Sequence, residues 1–67
     1  MQGKYDDAIK YYDVAISVKN EAVYNSNKAG AYNSLKQYNK AIDSANRALE
    51  LDPNHNYAKD KKTYALN

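Results

Sequence analysis

From residue 5 onward, apolar and aromatic side chains recur three and four positions apart: Tyr5, Ala8, Ile9, Tyr12 and Ile16. An α-helix returns to the same face every 3.6 residues, so this spacing draws one stripe along a helix. Tyr38, Ala41, Ile42, Ala45 and Leu49 draw the same stripe further on. Neither run alternates with period two, so the pattern predicts no strand. Between them, residues 21–35 place Ala22, Val23, Ala29, Ala31, Tyr32 and Leu35 at helical spacings as well. Asn20 closes the first run and is a candidate cap for the second. Lys36-Gln37 is read as a turn. Asp52-Pro53-Asn54 stops the third run, because proline cannot continue a helix and holds its predecessor extended. A fourth segment, 56–66, has Tyr57, Ala58, Tyr64 and Ala65 on one side and Asp60, Lys61 and Lys62 near the other. Four helices joined by short turns are expected.

The two stripes are copies of each other. Tyr5 pairs with Tyr38, Ala8 with Ala41, Ile9 with Ile42, Ala15 with Ala48, Ile16 with Leu49 and Val18 with Leu51, each at an offset of 33. Self-similarity at one fixed spacing is the mark of a repeat architecture, in which stacked units bury what one unit cannot. Small residues at Ala8, Ala15, Ala41 and Ala48 let helices approach closely. Tyr5, Tyr12, Tyr38, Ile42 and Leu49 fill the spaces between hairpins.

These residues resemble the tetratricopeptide repeat, a helix-turn-helix unit of about 34 residues. Ala41, Ala45, Ala48 and Pro53 stand at the positions of its second-helix pattern, and Ala8, Tyr12 and Ala15 fit the same frame, with Asn20 in place of the proline. In the first helix Tyr32 fits and Ala29 replaces a glycine, whereas Asn25 and Lys28 depart from the family's Trp and Leu. Gly3 matches the glycine of the intra-repeat turn. Lys36 replaces it in the second copy, at a cost of ~1 kcal/mol if that residue is left-handed. The resemblance implies an all-α fold of antiparallel helix hairpins, about one and a half repeats plus a C-terminal capping helix. One domain then spans 1–67: the second helix of repeat one over 4–19, a complete repeat over 21–52 and the capping helix over 55–66. A generic helical bundle would account for four helices but not for their fixed spacing. The frame opens at a second helix, so Tyr5, Ile9, Tyr12 and Ile16 are expected to lack part of their cover. Either a longer array or a second copy exchanging helices would supply it.

Composition narrows the chemistry. A chain of 67 residues is at most one domain and buries only ~60% of its unfolded surface, which leaves stability marginal. Without cysteine there is no disulfide, and His55 alone cannot complete a four-ligand zinc site. No metal and no cofactor are expected. No run approaches the ~18 apolar residues of a membrane span and no signal peptide opens the chain, so the expected location is cytoplasmic, with no membrane partner. Asp6-Asp7 is read as an acidic pair favouring a helix start rather than an acid–base dyad. With only Gly3 and Gly30 there is no phosphate-binding loop. His55 is read as a solvated turn or helix-start residue. The expectation is a non-enzyme. Lys59, Lys61 and Lys62 with Tyr57 and Tyr64 mix charge and rings as single-strand RNA binders do, but a net charge of +2 and interleaved acids favour a solubilising cap.

Binding remains. The resemblance implies that first helices line a concave groove, which in this frame takes Val23, Ser26, Asn27, Gly30, Asn33 and Ser34, joined by Tyr57 and Lys61. Residues 22–32 are similar to the second repeat of co-chaperone tetratricopeptide domains, which hold the C-terminal carboxylate of heat-shock chaperones in a clamp of Lys and Asn residues. Asn27 occupies the clamp asparagine and Lys61 the basic place, while Tyr57 stands where the clamp has another lysine. The expected function is a protein–protein interaction module that takes a peptide or partner segment, such as a chaperone tail, in this groove. The alternative is a self-assembling helical module, a homo-oligomer joined through Tyr5, Ile9, Tyr12 and Ile16. Single-stranded RNA binding ranks below both.

Overall fold

A computed structural model describes residues 2–67 and places them in four helices: α1 Gln2–Val18, α2 Ala22–Ser34, α3 Tyr38–Leu51 and α4 Asn56–Leu66. Each boundary has a local cause. After α2, Leu35 is the C-cap and Lys36 takes φ 61°, the left-handed conformation that costs any residue with a Cβ. Its N–H donates to Asn33 O at 3.0 Å and that of Gln37 to Tyr32 O at 2.9 Å, the paired closure that usually has glycine at this place. After α3, Asp52 is extended (φ −146°, ψ 93°) ahead of Pro53, and its carboxylate accepts from the N–H of Asn54 at 3.2 Å.

Three local expectations are corrected. Gly3 lies inside α1, not in a turn, because the helix already runs from Gln2. Asp6 and Asp7 therefore fall beyond the first turn, which holds no acidic residue, and their interaction with the helix dipole is weak. Asn20 does not cap α2; Glu21 stands at that place without a side-chain bond. The Asn20 side chain instead accepts from Asn25 Nδ2 at 2.7 Å, and Asn25 Nδ2 also donates to Glu21 O at 2.8 Å. This is how a buried Asn25 substitutes for the family's aromatic residue.

The helices stack in sequence. α2 packs against α1, α3 and α4, and α3 packs against α4, whereas α1 meets neither α3 nor α4 among the described residues. The seams are built from methyl groups. Ala29, Ala41, Ala45, Ala48 and Ala58 are fully buried, with Ala31 and Ile9 nearly so. Ala8 and Ala15, one repeat before Ala41 and Ala48, are only half-buried, since α1 is covered by one helix and α3 by two. The result is a slab of 32 × 31 × 15 Å.

Candidate functional site

Three helices enclose a groove of about 310 Å³. α1 contributes Tyr5, Ala8 and Tyr12; α2 contributes Asn27, Gly30, Ala31 and Ser34; α4 contributes Tyr57 and Lys61. A second hollow of about 250 Å³, sharing Gly30, Ser34 and Lys61, continues it toward Tyr64. Gly30 sets the depth. A Cβ there would sit 3.3 Å from Tyr57 Oη and 3.5 Å from Lys61 Cε, so the missing side chain lets both α4 residues lie across α2.

Lys61 carries the charge. Its Nζ lies 4.7 Å from the centre of the Tyr57 ring, a cation–π distance. Among the described residues no carboxylate comes within 4.0 Å of it. Asn27 is half-buried in the same wall, and its amide is engaged in no side-chain hydrogen bond of the described residues. An ammonium and an amide thus face one hollow with donors to spare.

One expected groove residue belongs to the interior, and a second is shared between the seam and the adjoining hollow. Ser26 is fully buried: its hydroxyl lies 3.0 Å from Val23 O and 2.8 Å from His55 Nε2. The hydroxyl has one proton for two acceptors: with His55 Nε2 protonated it accepts from Nε2–H and donates to Val23 O, and in the other tautomer it donates to Nε2. Asn33 is 7% exposed, donates from Nδ2 to Lys61 O at 3.0 Å and leaves Oδ1 without a partner, yet it also lines the adjoining hollow of Gly30, Ser34, Lys61 and Tyr64. Both side chains point at α4 because the α2–α4 seam needs partners for the start and middle of α4. Val23 is exposed but does not line the groove.

Of the two places expected for His55, a solvated turn or a helix start, it takes the second, at the N-cap of α4. It is half-buried and ties the first turn of α4 to α2 through Ser26. Its Nδ1 lies 3.7 Å from Asp52 Oδ2, so acid, imidazole and hydroxyl occur in the order of a hydrolytic triad. The arrangement lacks a triad's geometry: Ser26 is fully buried away from any substrate, and 3.7 Å is too long for an acid–imidazole hydrogen bond.

The stripe expected to mediate self-association is partly covered within the chain, with Tyr5 still 42% exposed. Ile9 is buried, Tyr12 and Ile16 are half-buried, and Tyr5 and Tyr12 line the groove. That side of α1 turns toward α2. The side left open carries Tyr11 (68% exposed), Val14 (65%) and Val18 (84%). One repeat later Ser44 is only 4% exposed, whereas Arg47 and Leu51 are exposed, so the same face stays largely open on α3 as well. The signal for this second stripe was the three- and four-residue spacing of Tyr11, Val14 and Val18, which the stronger stripe beside it obscured.

Among known proteins, the chain is 42% identical over 52 residues to the mitochondrial import receptor subunit TOM70 of Saccharomyces cerevisiae, covering 78% of this chain and 8% of that protein. It is 40% identical over 52 residues to the small glutamine-rich tetratricopeptide repeat-containing protein 2 of the same yeast, covering 76% and 15%. It is 38% identical over 50 residues to the Hsp70-Hsp90 organising protein of Plasmodium falciparum, covering 73% and 9%. The chain therefore spans less than a fifth of the length of each of these relatives. No solved structure matches it. The family model of the tetratricopeptide repeat matches residues 22–55, just over half of the chain, which takes in α2, the Lys36 turn, α3 and the Pro53 break. The stacked hairpins and this match together establish that the chain belongs to the tetratricopeptide repeat family.

Proposed function

We propose that the chain captures the carboxylate end of an extended peptide in the groove between α1, α2 and α4. Tetratricopeptide repeats are non-catalytic modules of protein–protein interaction, and the relatives include one named for organising Hsp70 and Hsp90. The observation that carries the finer reading is the Lys61 ammonium, half-buried beside Asn27 and facing no carboxylate of its own. A C-terminal carboxylate accepts from both groups, while Gly30 gives the peptide backbone room against α2. Tyr5, Tyr12 and Tyr57 supply flat walls for the side chains that precede the carboxylate. A chaperone tail is the ligand favoured by the relatives, and the lack of cysteine favours an encounter in the cytoplasm.

Two donors make a weak site. A charge-assisted hydrogen bond contributes ~1.5–3 kcal/mol. Replacing Lys61→Gln should therefore weaken binding of an acidic C-terminal peptide by roughly tenfold to a hundredfold. Titration of the same peptide with a free and with an amidated C-terminus checks the reading: equal affinities would overturn it. An oligonucleotide titrated over a range of salt tests the RNA alternative, since phosphate binding falls steeply with ionic strength.

Self-association is the weaker second reading. The exposed row of Tyr11, Val14 and Val18 favours it, but three apolar side chains fall far short of the ~20–30 residues a side of a stable interface.

A further inference from the structure

We infer that the chain has a second binding surface, on the far side of α2 from the groove, which receives an acidic side chain of a partner protein. Lys28 and Tyr32 of α2 and Lys40, Asp43, Ser44 and Arg47 of α3 line a hollow of about 260 Å³ there. At 100° per residue, Lys28 and Tyr32 lie well around α2 from Asn27, Gly30 and Ser34, so the two sites share no residue.

The hollow is built for an anion. Two ammonium groups converge on one ring: Lys28 Nζ and Lys40 Nζ stand 5.8 and 5.9 Å from the centre of Tyr32. Lys40, Ser44 and Arg47 are four and three residues apart and share a face of α3. Neither Lys40 nor Arg47 has a carboxylate within 4.0 Å among the described residues. The wall also offers a hydroxyl. Ser44 is 4% exposed, yet its hydroxyl takes part in no side-chain hydrogen bond of the described residues. The rest of the residue is covered, so its free hydroxyl reaches solvent only through the hollow it lines. Here it lies between Lys40 and Arg47, where a bound oxygen would accept from it.

Charge decides which anion. Lys28 is already paired with Asp13 at 2.5 Å, and Asp43 stands in the wall. Three cations against two carboxylates leave a single net positive charge. A phosphoryl monoester, at about −1.5 to −2 near neutral pH, would overfill this site. The −1 of a carboxylate balances it. An Asp or Glu side chain on a protein segment crossing α3 therefore fits better than a phosphate of any source, nucleic acid included.

The test uses hexaglutamate blocked at both ends, which lacks the terminal carboxylate the groove would take, with blocked hexaglutamine as control. The whole chain should bind the first and not the second, with affinity falling as salt rises. Lys40→Gln with Arg47→Gln, two exposed positions whose replacement leaves the seams intact, should weaken hexaglutamate roughly tenfold. Lys40→Arg with Arg47→Lys should restore most of the affinity. Ser44→Ala should weaken it several-fold, while Lys61→Gln should leave it unchanged. The inference is overturned if the Lys40/Arg47 pair binds like the parent, if Lys61→Gln abolishes binding instead, or if an oligonucleotide of equal charge binds as tightly as hexaglutamate.

Discussion

At the scale of single residues, Gly30 joins stability to function. Its backbone is ordinary helix, since no glycine of the described residues takes a positive φ. Alanine there should add the helix propensity that glycine forfeits, up to ~1 kcal/mol. The new Cβ would lie 3.3 Å from Tyr57 Oη, the far end of a side chain 44% exposed and free to swing away. Gly30→Ala should therefore raise the denaturant midpoint while weakening the peptide, and an unfolding curve beside a titration checks both halves. The neighbouring polar residues were harder to read from the chain. Asn27 and Gly30 were legible as groove residues because the repeat frame fixes their face. Ser26 and Asn33 share much of that frame, but their partners, His55 and the Lys61 carbonyl, lie 29 and 28 residues away. A pattern of polar positions cannot distinguish a side chain that meets water from one satisfied across a seam.

At the scale of elements, the turns are strictly local devices, and most of what governs them can be read in order along the chain. Asp52 and Pro53 end α3 where proline chemistry requires it. Lys36 was recognisable as the residue standing in a glycine's place, and its φ of 61° shows the strain in that choice. Lys36→Gly should relieve it by ~1 kcal/mol. For a domain of this size that corresponds to a melting temperature higher by ~4–8 °C. Thermal unfolding followed by circular dichroism measures it directly; an unchanged or lower midpoint would mean that the lysine stem packs well enough to offset its backbone. Gly3 misled for the complementary reason. A glycine matching a turn position forces no turn, and residues 2–18 continue as one helix through it.

At the scale of the whole molecule, the order of packing follows from the repeat, but the rotation of each helix about its axis does not. α1 carries two apolar stripes, and only the position of α2 decides which is covered. Ile9 is inside and Val14 and Val18 are outside. Val14→Glu with Val18→Glu should thus change stability by no more than ~0.5 kcal/mol, as surface substitutions do. The corresponding change at Ile9 would be costly. If α1 pairs with a second copy, sedimentation should show a mass that rises with concentration in the parent and stays monomeric in the double variant. The weakness of a three-residue row favours a monomer in both.

The alanine seams have a consequence for how the sequence can vary. Five of the fully enclosed side chains, Ala29, Ala41, Ala45, Ala48 and Ala58, carry nothing beyond a single methyl. Trimming them to glycine sacrifices little hydrophobic burial, whereas each added carbon must push two backbones apart, typically at ~1–3 kcal/mol. Tolerance at the heart of this molecule is therefore lopsided: added bulk costs more than the loss of a methyl, which itself forfeits up to ~1 kcal/mol of helix propensity.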